Sequence, residues 1–234
     1  MGESGQALRR QGRLKLTVFS AGAAQGLVNA LAAQEQVELE ASFGAVGAMQ
    51  AKLIDGEPCD LIVLTHALVA ELGRAGRIVA QADLGLVHTA IAVREADPAP
   101  QVTSEAALRD ELARADGIYF PDPQKSTAGI HSAKVLERLG IREKLRPFPN
   151  GATAMHEMVK SREPRVIGCT QVTEILNTRG AKVVAPLPAD FKLTTTYSAG
   201  VCAGAPHPGP AHRFLALLAG EDSSKLRRRL GFEL

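Results

Sequence analysis

The feature that most constrains this chain is the alternation of short β-rich runs with helical segments in its N-terminal third. Strand-like runs at 14–20, 37–43 and 60–65 are each followed by apolar residues at helical spacing, the last of them over His66–Arg74. The third run is almost wholly apolar, which is typical of a parallel strand covered on both faces. This order predicts a parallel sheet with right-handed crossovers, and therefore an α/β fold.

The rest of the chain continues the alternation and predicts a second set of strands and helices. A long strand is predicted over 85–94, followed by a helix over 104–115 that Thr103 caps through its hydroxyl. Further strands are predicted at 117–120, 165–169, 182–185 and 194–203, and further helices at 126–139, 151–161, 172–178, 211–219 and 222–230. Residues 206–210 are predicted to be a turn. We expect the basic run Arg227–Arg229 to be a solvated helix end, where positive charge meets the negative end of the helix dipole.

Charge and composition argue against several classes of partner. The net charge is +2, from 27 basic and 25 acidic residues, which gives no strong field for nucleic acid or an anionic membrane. Seven Phe, two Tyr and no Trp leave little for base stacking. No stretch approaches the roughly 20 apolar residues of a membrane span. The three cysteines, Cys59, Cys169 and Cys202, lack zinc-site or redox-pair spacing and suit a reducing compartment.

The N-terminal segment has no apolar core of the kind that a signal peptide carries. From the sequence as written we expect a cytoplasmic protein, or a periplasmic one if the natural N-terminus has been truncated or replaced. A transporter partner is not expected without an export signal.

Four junctions between strand ends and helix starts are small and rich in hydroxyl groups or glycine. They are Ser20–Ala23, Ser42–Ala45, Lys125–Gly129 and Asn150–Thr153. A helix start presents unpaired amides and about half a positive charge, and small side chains let a ligand approach them. Ordinary helix capping explains each junction alone. In open α/β sheets such junctions gather beyond the carboxyl ends of the strands, so together they predict a cleft for a small anion.

Nucleotide binding is not expected in this cleft. The chain contains no G-x-x-x-x-G-K-[ST] loop, and the residues Gly22–Gly26 do not form G-x-G-x-x-G.

Several short motifs resemble the molybdate-binding proteins of bacterial ABC transporters. The resemblance spans roughly 14–232 and is carried by Val18–Ala21, Ser42–Gly44, Gly56–Val63, Pro121–Pro123, Ser126–Ile130, the strand around Tyr197, and Leu230–Phe232. It implies a two-lobed type II periplasmic-binding fold, in which each lobe is a mostly parallel sheet flanked by helices. The two hinge crossovers would lie near 85–92 and 193–200. Lobe one would comprise 1–86 plus 197–234, and lobe two 87–196.

The resemblance also implies where the ligand binds, and the departures of this chain from the family pattern predict a different ligand. The family holds its oxyanion with two serines, a tyrosine and backbone amides; the side-chain positions correspond here to Ala23, Val46 and Gln171. About three hydrogen bonds, each worth roughly 1.5–3 kcal/mol, would be lost, which disfavours molybdate. We therefore expect a small anionic ligand, more specifically a carboxylate. The other predicted ligand-binding residues are Ser20, Ser42, Thr65, Ser126, Thr127, Ala152, Thr153, Thr173 and Tyr197.

Binding alone and catalysis both remain open at this point. The segment Ile167–Ile175 resembles relatives of this fold that isomerise small unsaturated acids, aconitate isomerase among them. Such an isomerase needs a proton carrier and a cradle for developing negative charge, but no metal or organic cofactor. The candidate carriers are His66, Lys125 and His131.

Each candidate carrier also has an ordinary structural interpretation. His66 would cap a helix, Lys125 would be a solvated surface lysine, and His131 would pack or lie at the surface. Glu174 is expected to be a first-turn carboxylate that favours its helix dipole. A ligand-sensing regulator is a third hypothesis, although no separate DNA-binding segment is evident.

Overall fold

A computed structural model describes residues 15–234, in which nine strands and nine α-helices follow one another along the chain. Leu14 of the first predicted strand, and the N-terminal segment considered above, lie outside these residues. The strands are β1 (Lys15–Ala21), β2 (Glu38–Gly44), β3 (Leu61–Thr65), β4 (Ile78–Arg94), β5 (Gly117–Pro121), β6 (Leu145–Phe148), β7 (Val166–Gln171), β8 (Ala181–Pro186) and β9 (Thr194–Cys202). The helices are α1 (Gln25–Gln34), α2 (Val46–Ile54), α3 (His66–Arg74), α4 (Glu105–Arg114), α5 (Thr127–Arg138), α6 (Gly151–Lys160), α7 (Val172–Leu176), α8 (Pro208–Ala219) and α9 (Ser224–Arg229).

The strands form a mixed sheet in the order β2-β1-β3-β9-β4-β7-β5-β6, with β8 pairing to β4. Strands β1, β2 and β3 are parallel neighbours, which confirms the parallel sheet expected for the first third of the chain. Leu61 to Leu64 of β3 are fully buried, as a strand covered on both faces requires. Strands β5, β6 and β7 form a second parallel set. The predicted α/β class is therefore correct.

Strand β4 belongs to both parallel sets, because different parts of it pair with different strands. Its residues 78–88 pair antiparallel with β9, and its residues 89–94 pair antiparallel with β7 and β8. The predicted strand over 85–94 starts seven residues too late. The missed residues alternate between exposed positions and buried or half-buried ones, and Gln81 and Asp83 interrupt the apolar run.

Buried apolar side chains form separate clusters on the two sides of β4. One cluster includes Leu16, Leu61 and Phe214, and two others surround Ile118 and Met155. The clusters indicate two halves, one built on β1–β3 and β9 and one on β5–β8. The lobe boundaries at 86/87 and 196/197 remain a prediction. Within residues 15–234, no helix has the length and apolar character to cross a membrane.

Three local predictions are wrong. Ser104, not Thr103, caps α4: its Oγ accepts from the amide of Ala107 at 3.2 Å, since Ser104 has the extended backbone of a cap. Helix α8 begins at Pro208 inside the predicted turn, because proline is well suited to a first helical turn. Arg227 is only 6% exposed, and its Nη1 donates to the carbonyl of Leu84 at 2.8 Å, so it is no solvated helix end.

The sequence analysis also missed strand β6. It contains Pro147 and lies at the end of the sheet, where a proline is tolerated although it obscures the strand pattern.

Candidate functional site

The four predicted helix starts meet around one small space, which we call the inner pocket. Both halves of the molecule contribute to it. Its lining residues are Ala21, Gly22, Ala23, Gly44, Ala45, Val46, Ser126, Thr127, Asn150, Gly151, Gln171, Glu174 and Tyr197. The inner pocket encloses about 10 Å³, roughly the room that one water molecule needs.

A second and larger space adjoins the inner pocket, and we call it the outer cleft. It has a volume of about 800 Å³. Val46 and Thr127 line both spaces, so the outer cleft is the neighbouring route from solvent. The amide of Gly47 donates to the carbonyl of Lys125 at 3.3 Å and joins the two halves beside the outer cleft.

The helix starts were predicted to hold the anion of a ligand. In the structure they surround a carboxyl group of the protein itself, that of Glu174. Its Oε2 accepts a hydrogen bond of 2.5 Å from the Thr170 hydroxyl, and the backbone of Gln171, Gly151 and Ala152 also hydrogen-bonds to it. Burial raises the pKa of Glu174, and these hydrogen bonds oppose the rise. Glu174 lies in the first turn of α7, as expected, but its carboxyl group is buried and faces the start of α6.

Glycine at two positions makes this arrangement possible. A Cβ atom on Gly22 would overlap Oε1 of Glu174, and one on Gly151 would overlap Oε2 of Glu174 and the Thr170 hydroxyl. The two glycines come from different halves of the molecule. The space for the carboxyl group is thus set by both halves.

Gln171 and Tyr197 complete the polar lining of the inner pocket. Gln171 Nε2 donates to Thr195 Oγ1 at 3.4 Å, whereas its Oε1, although buried, has no hydrogen-bond partner within residues 15–234. Burial, together with the nearby charge of Glu174, raises the pKa of the Tyr197 phenol. Tyr197 therefore keeps its proton and can donate a hydrogen bond.

The structure brings most of the predicted ligand-binding residues to these two spaces. Ala23, Val46, Ser126, Thr127, Gln171 and Tyr197 line the inner pocket, and Thr65 lines the outer cleft. Ala152 contributes its backbone to Glu174.

Five predicted ligand-binding residues line neither space, Ala152 among them. The Ser20 hydroxyl donates to the carbonyl of Ala21, and Ser42 lies within β2. Thr153 donates to the capping side chain of Asn150 at 2.8 Å through its amide and at 3.0 Å through its hydroxyl. The Thr173 hydroxyl is buried away from the pocket lining, without a hydrogen-bond partner among the described residues.

The three candidate proton carriers lie in different places. His66 and Lys125 line the outer cleft. His66 Nδ1 lies 2.8 Å from Asp83 Oδ1, which also accepts a 2.6 Å bond from the buried Ser198 hydroxyl. His131 lies outside both spaces, with its Nε2 2.7 Å from the carbonyl oxygen of Phe191. None of the three lines the inner pocket.

Residues 16–233 match the family described as bacterial extracellular solute-binding protein. The chain belongs to this family. It is 26% identical over 226 residues to aconitate isomerase from Pseudomonas sp, covering 90% of this chain and 84% of that protein. It is 22% identical over 243 residues to the molybdate-binding protein ModA of Escherichia coli (strain K12), covering 99% of this chain and 93% of that one.

Solved structures of solute-binding proteins share the fold. The periplasmic molybdate-binding protein of Azotobacter vinelandii superposes with a TM-score of 0.75 at 17% identity, covering 94% of this chain and 99% of that one. The sulfate-binding protein SubI of Mycobacterium tuberculosis H37Rv superposes with a TM-score of 0.70 at 19% identity, covering 93% and 86%. These findings confirm the resemblance to molybdate-binding proteins and the type II periplasmic-binding fold.

In this solute-binding family member, sequence reasoning named Glu174 but missed its place in the lining of the inner pocket. The available signal was the spacing of Thr170 and Glu174, four residues apart across the end of β7 and the start of α7. A hydroxyl and a carboxyl group at that spacing can meet on one side of a helix start. The approach of Gly151 from another segment could not be seen in the sequence.

Proposed function

We propose that this solute-binding protein binds a small carboxylic acid in the inner pocket. The observation that carries the proposal is the convergence of four helix starts on a space where backbone amides hold a carboxyl group, that of Glu174. Helix-start amides suit a carboxylate because they are unpaired donors at the positive end of a dipole. Helix-start donors of the same kind would receive the carboxylate of a ligand.

The lining favours a carboxylate over a tetrahedral oxyanion. Ala23 and Val46 offer apolar side chains, so their parts of the pocket supply backbone amides rather than hydroxyl groups. Gln171 offers an acceptor oxygen without a partner in the described structure. A ligand with an apolar carbon skeleton and two or three polar ends fits this mixture better than a uniformly polar ion.

Ligand entry requires the two halves to separate, because about 10 Å³ is too small for any carboxylic acid. Strand β4 pairs with strands of both halves and is the segment that would absorb the rotation. The hydrogen bond between Gly47 and Lys125 would break on opening. Binding would then close the halves around the ligand.

A thermal-shift series with citrate, cis-aconitate, trans-aconitate, sulfate and molybdate tests the proposal. A ligand at 100 times its dissociation constant adds about 2.7 kcal/mol to the free energy of unfolding. We expect at least one carboxylic acid to raise the melting temperature, and sulfate and molybdate to leave it unchanged. A shift with molybdate alone would refute carboxylate binding.

A second candidate function is isomerisation of a small unsaturated di- or tricarboxylic acid. It is favoured by the buried carboxyl group of Glu174, whose pKa is raised, and by the similarity to aconitate isomerase. Glu174 would take a proton from the carbon next to the double bond, and the electron pair would move that bond by one position. Glu174 would then return the proton at the far carbon, while the α6 amides stabilise the negative charge.

Proton NMR in D₂O separates the two functions. An isomerase would incorporate deuterium into cis- or trans-aconitate, and Glu174→Gln would slow the exchange by about a hundredfold or more, the contribution of a general acid–base group. Glu137→Gln is the matched control, since Glu137 is exposed on α5 and lines neither space. Tight binding of an acid without deuterium exchange would leave binding as the function.

A further inference from the structure

Glu174 and Gln171, which line the inner pocket, carry hydrogen-bond acceptor oxygens. Gln171 is 2% exposed, and within residues 15–234 no donor reaches its Oε1. Glu174 adds two carboxylate oxygens, of which Oε2 is held by the Thr170 hydroxyl. A buried acceptor without a donor is unfavourable, so a ligand that supplies a donor gains more than one that supplies only acceptors.

Within residues 15–234, the lining around Glu174 offers no cationic side chain that could balance a second negative charge. The lining described for the inner pocket contains no Lys, Arg or His. Strand β7 contributes Thr170 and Gln171, α6 contributes backbone amides, and the turn at residues 22–24 contributes Gly22. The one other titratable group in the lining is the Tyr197 phenol of β9. His66 and Lys125 lie in the outer cleft.

A ligand carboxylate therefore enters a pocket that already holds a carboxyl group and has no cationic side chain in its described lining. Two ionised carboxylates at close range in a buried site repel each other, and such pairs hold one proton between them. Sulfate and molybdate in their fully ionised forms bring only acceptor oxygens. These ions have no hydrogen-bond donor of their own to offer to Glu174 or to the Gln171 oxygen.

We propose that this pocket selects hydroxyl-bearing carboxylic acids, binds them together with one proton, and excludes fully ionised tetrahedral oxyanions. Glu174 is the residue that determines this specificity, and the free oxygen of Gln171 takes the ligand hydroxyl. The inference rests on the proposed carboxylate binding and defines its ligand class.

Isothermal titration calorimetry with malate and succinate tests the hydroxyl requirement, because the two acids share a carbon skeleton and differ in one hydroxyl group. For the wild-type protein we expect malate to bind about tenfold or more tightly than succinate, the effect of one hydrogen bond to a buried polar site. Affinity should weaken as pH rises from 6 to 9, by up to about tenfold per pH unit, because one proton enters with the ligand. Titrations in two buffers of different ionisation enthalpy measure that proton directly.

The Glu174→Gln variant tests the source of the selectivity. The amide removes the charge and adds a donor, so we expect the variant to bind sulfate or molybdate at least about tenfold more tightly than the wild-type protein and to lose the pH dependence. Glu137→Gln should match the wild-type protein in every titration.

The outcomes separate this inference from the proposed function. Equal binding of malate and succinate, without proton uptake at any pH, would overturn the inference and leave carboxylate binding intact. Unchanged oxyanion affinity and pH dependence in Glu174→Gln would do the same. If the wild-type protein binds neither acid, the inference fails, whereas the proposed carboxylate binding fails only if citrate and both aconitates also leave the melting temperature unchanged. The wild-type titrations need no variant, so the inference stays testable even if Glu174→Gln does not fold.

Discussion

The Glu174 carboxyl group accepts a hydrogen bond of 2.5 Å from the hydroxyl of Thr170, the residue four positions earlier in the chain. Thr170 lies near the C-terminal end of β7 and Glu174 lies in α7, so both partners belong to one strand–helix junction. The backbone of Gly151, from the start of α6, completes the environment of the carboxyl group. The inner pocket therefore contains its own acidic group, placed by two segments that are distant in sequence.

Gly151→Ala tests how tightly this group is enclosed. The new Cβ would overlap Glu174 Oε2 and the Thr170 hydroxyl, so we expect the free energy of unfolding to fall by about 1–3 kcal/mol, and ligand binding to weaken. Gly204→Ala is the control, because a Cβ there meets nothing within 4 Å and should change stability by less than about 0.5 kcal/mol. Urea unfolding measures both. Equal effects of the two variants would contradict the close packing at Gly151.

Local patterns in the sequence were sufficient to predict the α/β class and most of the strands and helices, whereas the two-lobed fold was implied by the family resemblance. The apolar run that forms β3 and the helical spacing of α3 depend on burial along one element, which the chain itself encodes. The helix starts were also predictable, because Ser126 and Asn150 are residues with a known capping chemistry. Their convergence followed from the rule for parallel sheets.

Features that depend on distant segments could not be predicted. Glu174 reads as an ordinary helix-start acid until Gly22 and Gly151 are known to pack against it. Arg227 reads as part of a basic helix end, because nothing local indicates that Leu84 offers it a carbonyl. In each case the deciding partner lies more than 20 residues away in the chain.

The pH dependence of stability should report the ionisation of Glu174. Burial raises its pKa above the usual 4.5, so the folded state holds this proton more tightly than the unfolded state. The stabilisation is complete below about pH 4.5 and is lost as pH rises through the folded-state pKa. Relative to the wild-type protein, Glu174→Gln should therefore gain in free energy of unfolding from pH 5 to pH 8. Urea titrations at three pH values measure this, and a constant difference would contradict it.

Asp83 and Ser198 should be energetically coupled beside His66, which lines the outer cleft. Burial acts to raise the pKa of Asp83, but hydrogen bonds with Ser198 and His66 hold it below its usual value of 3.8. Asp83→Ala would remove the 2.6 Å acceptor of the fully buried Ser198 hydroxyl and leave it only the 3.3 Å contact with His66 Nδ1, at a cost of about 1–3 kcal/mol in unfolding free energy. Adding Ser198→Ala should recover part of that loss, so a double-mutant cycle should give a nonzero coupling energy. Strict additivity would show that the bond contributes nothing.

Arg227 should be the one member of the basic run Arg227–Arg229 that matters strongly for stability. Its guanidinium donates to the Leu84 carbonyl at 2.8 Å and to the carbonyls of Ala219 and Gly220, and so joins the C-terminal helix to β4. Arg227→Ala would leave the buried Leu84 carbonyl and the half-buried carbonyls of Ala219 and Gly220 without their charged donor, and we expect a loss of about 3 kcal/mol in unfolding free energy. Arg228→Ala, at an exposed position of the same helix, should change stability by less than about 0.5 kcal/mol. Thermal or urea unfolding distinguishes the two variants. A similarly small effect of both would show that Arg227 contributes no more to stability than a solvated arginine at a helix end.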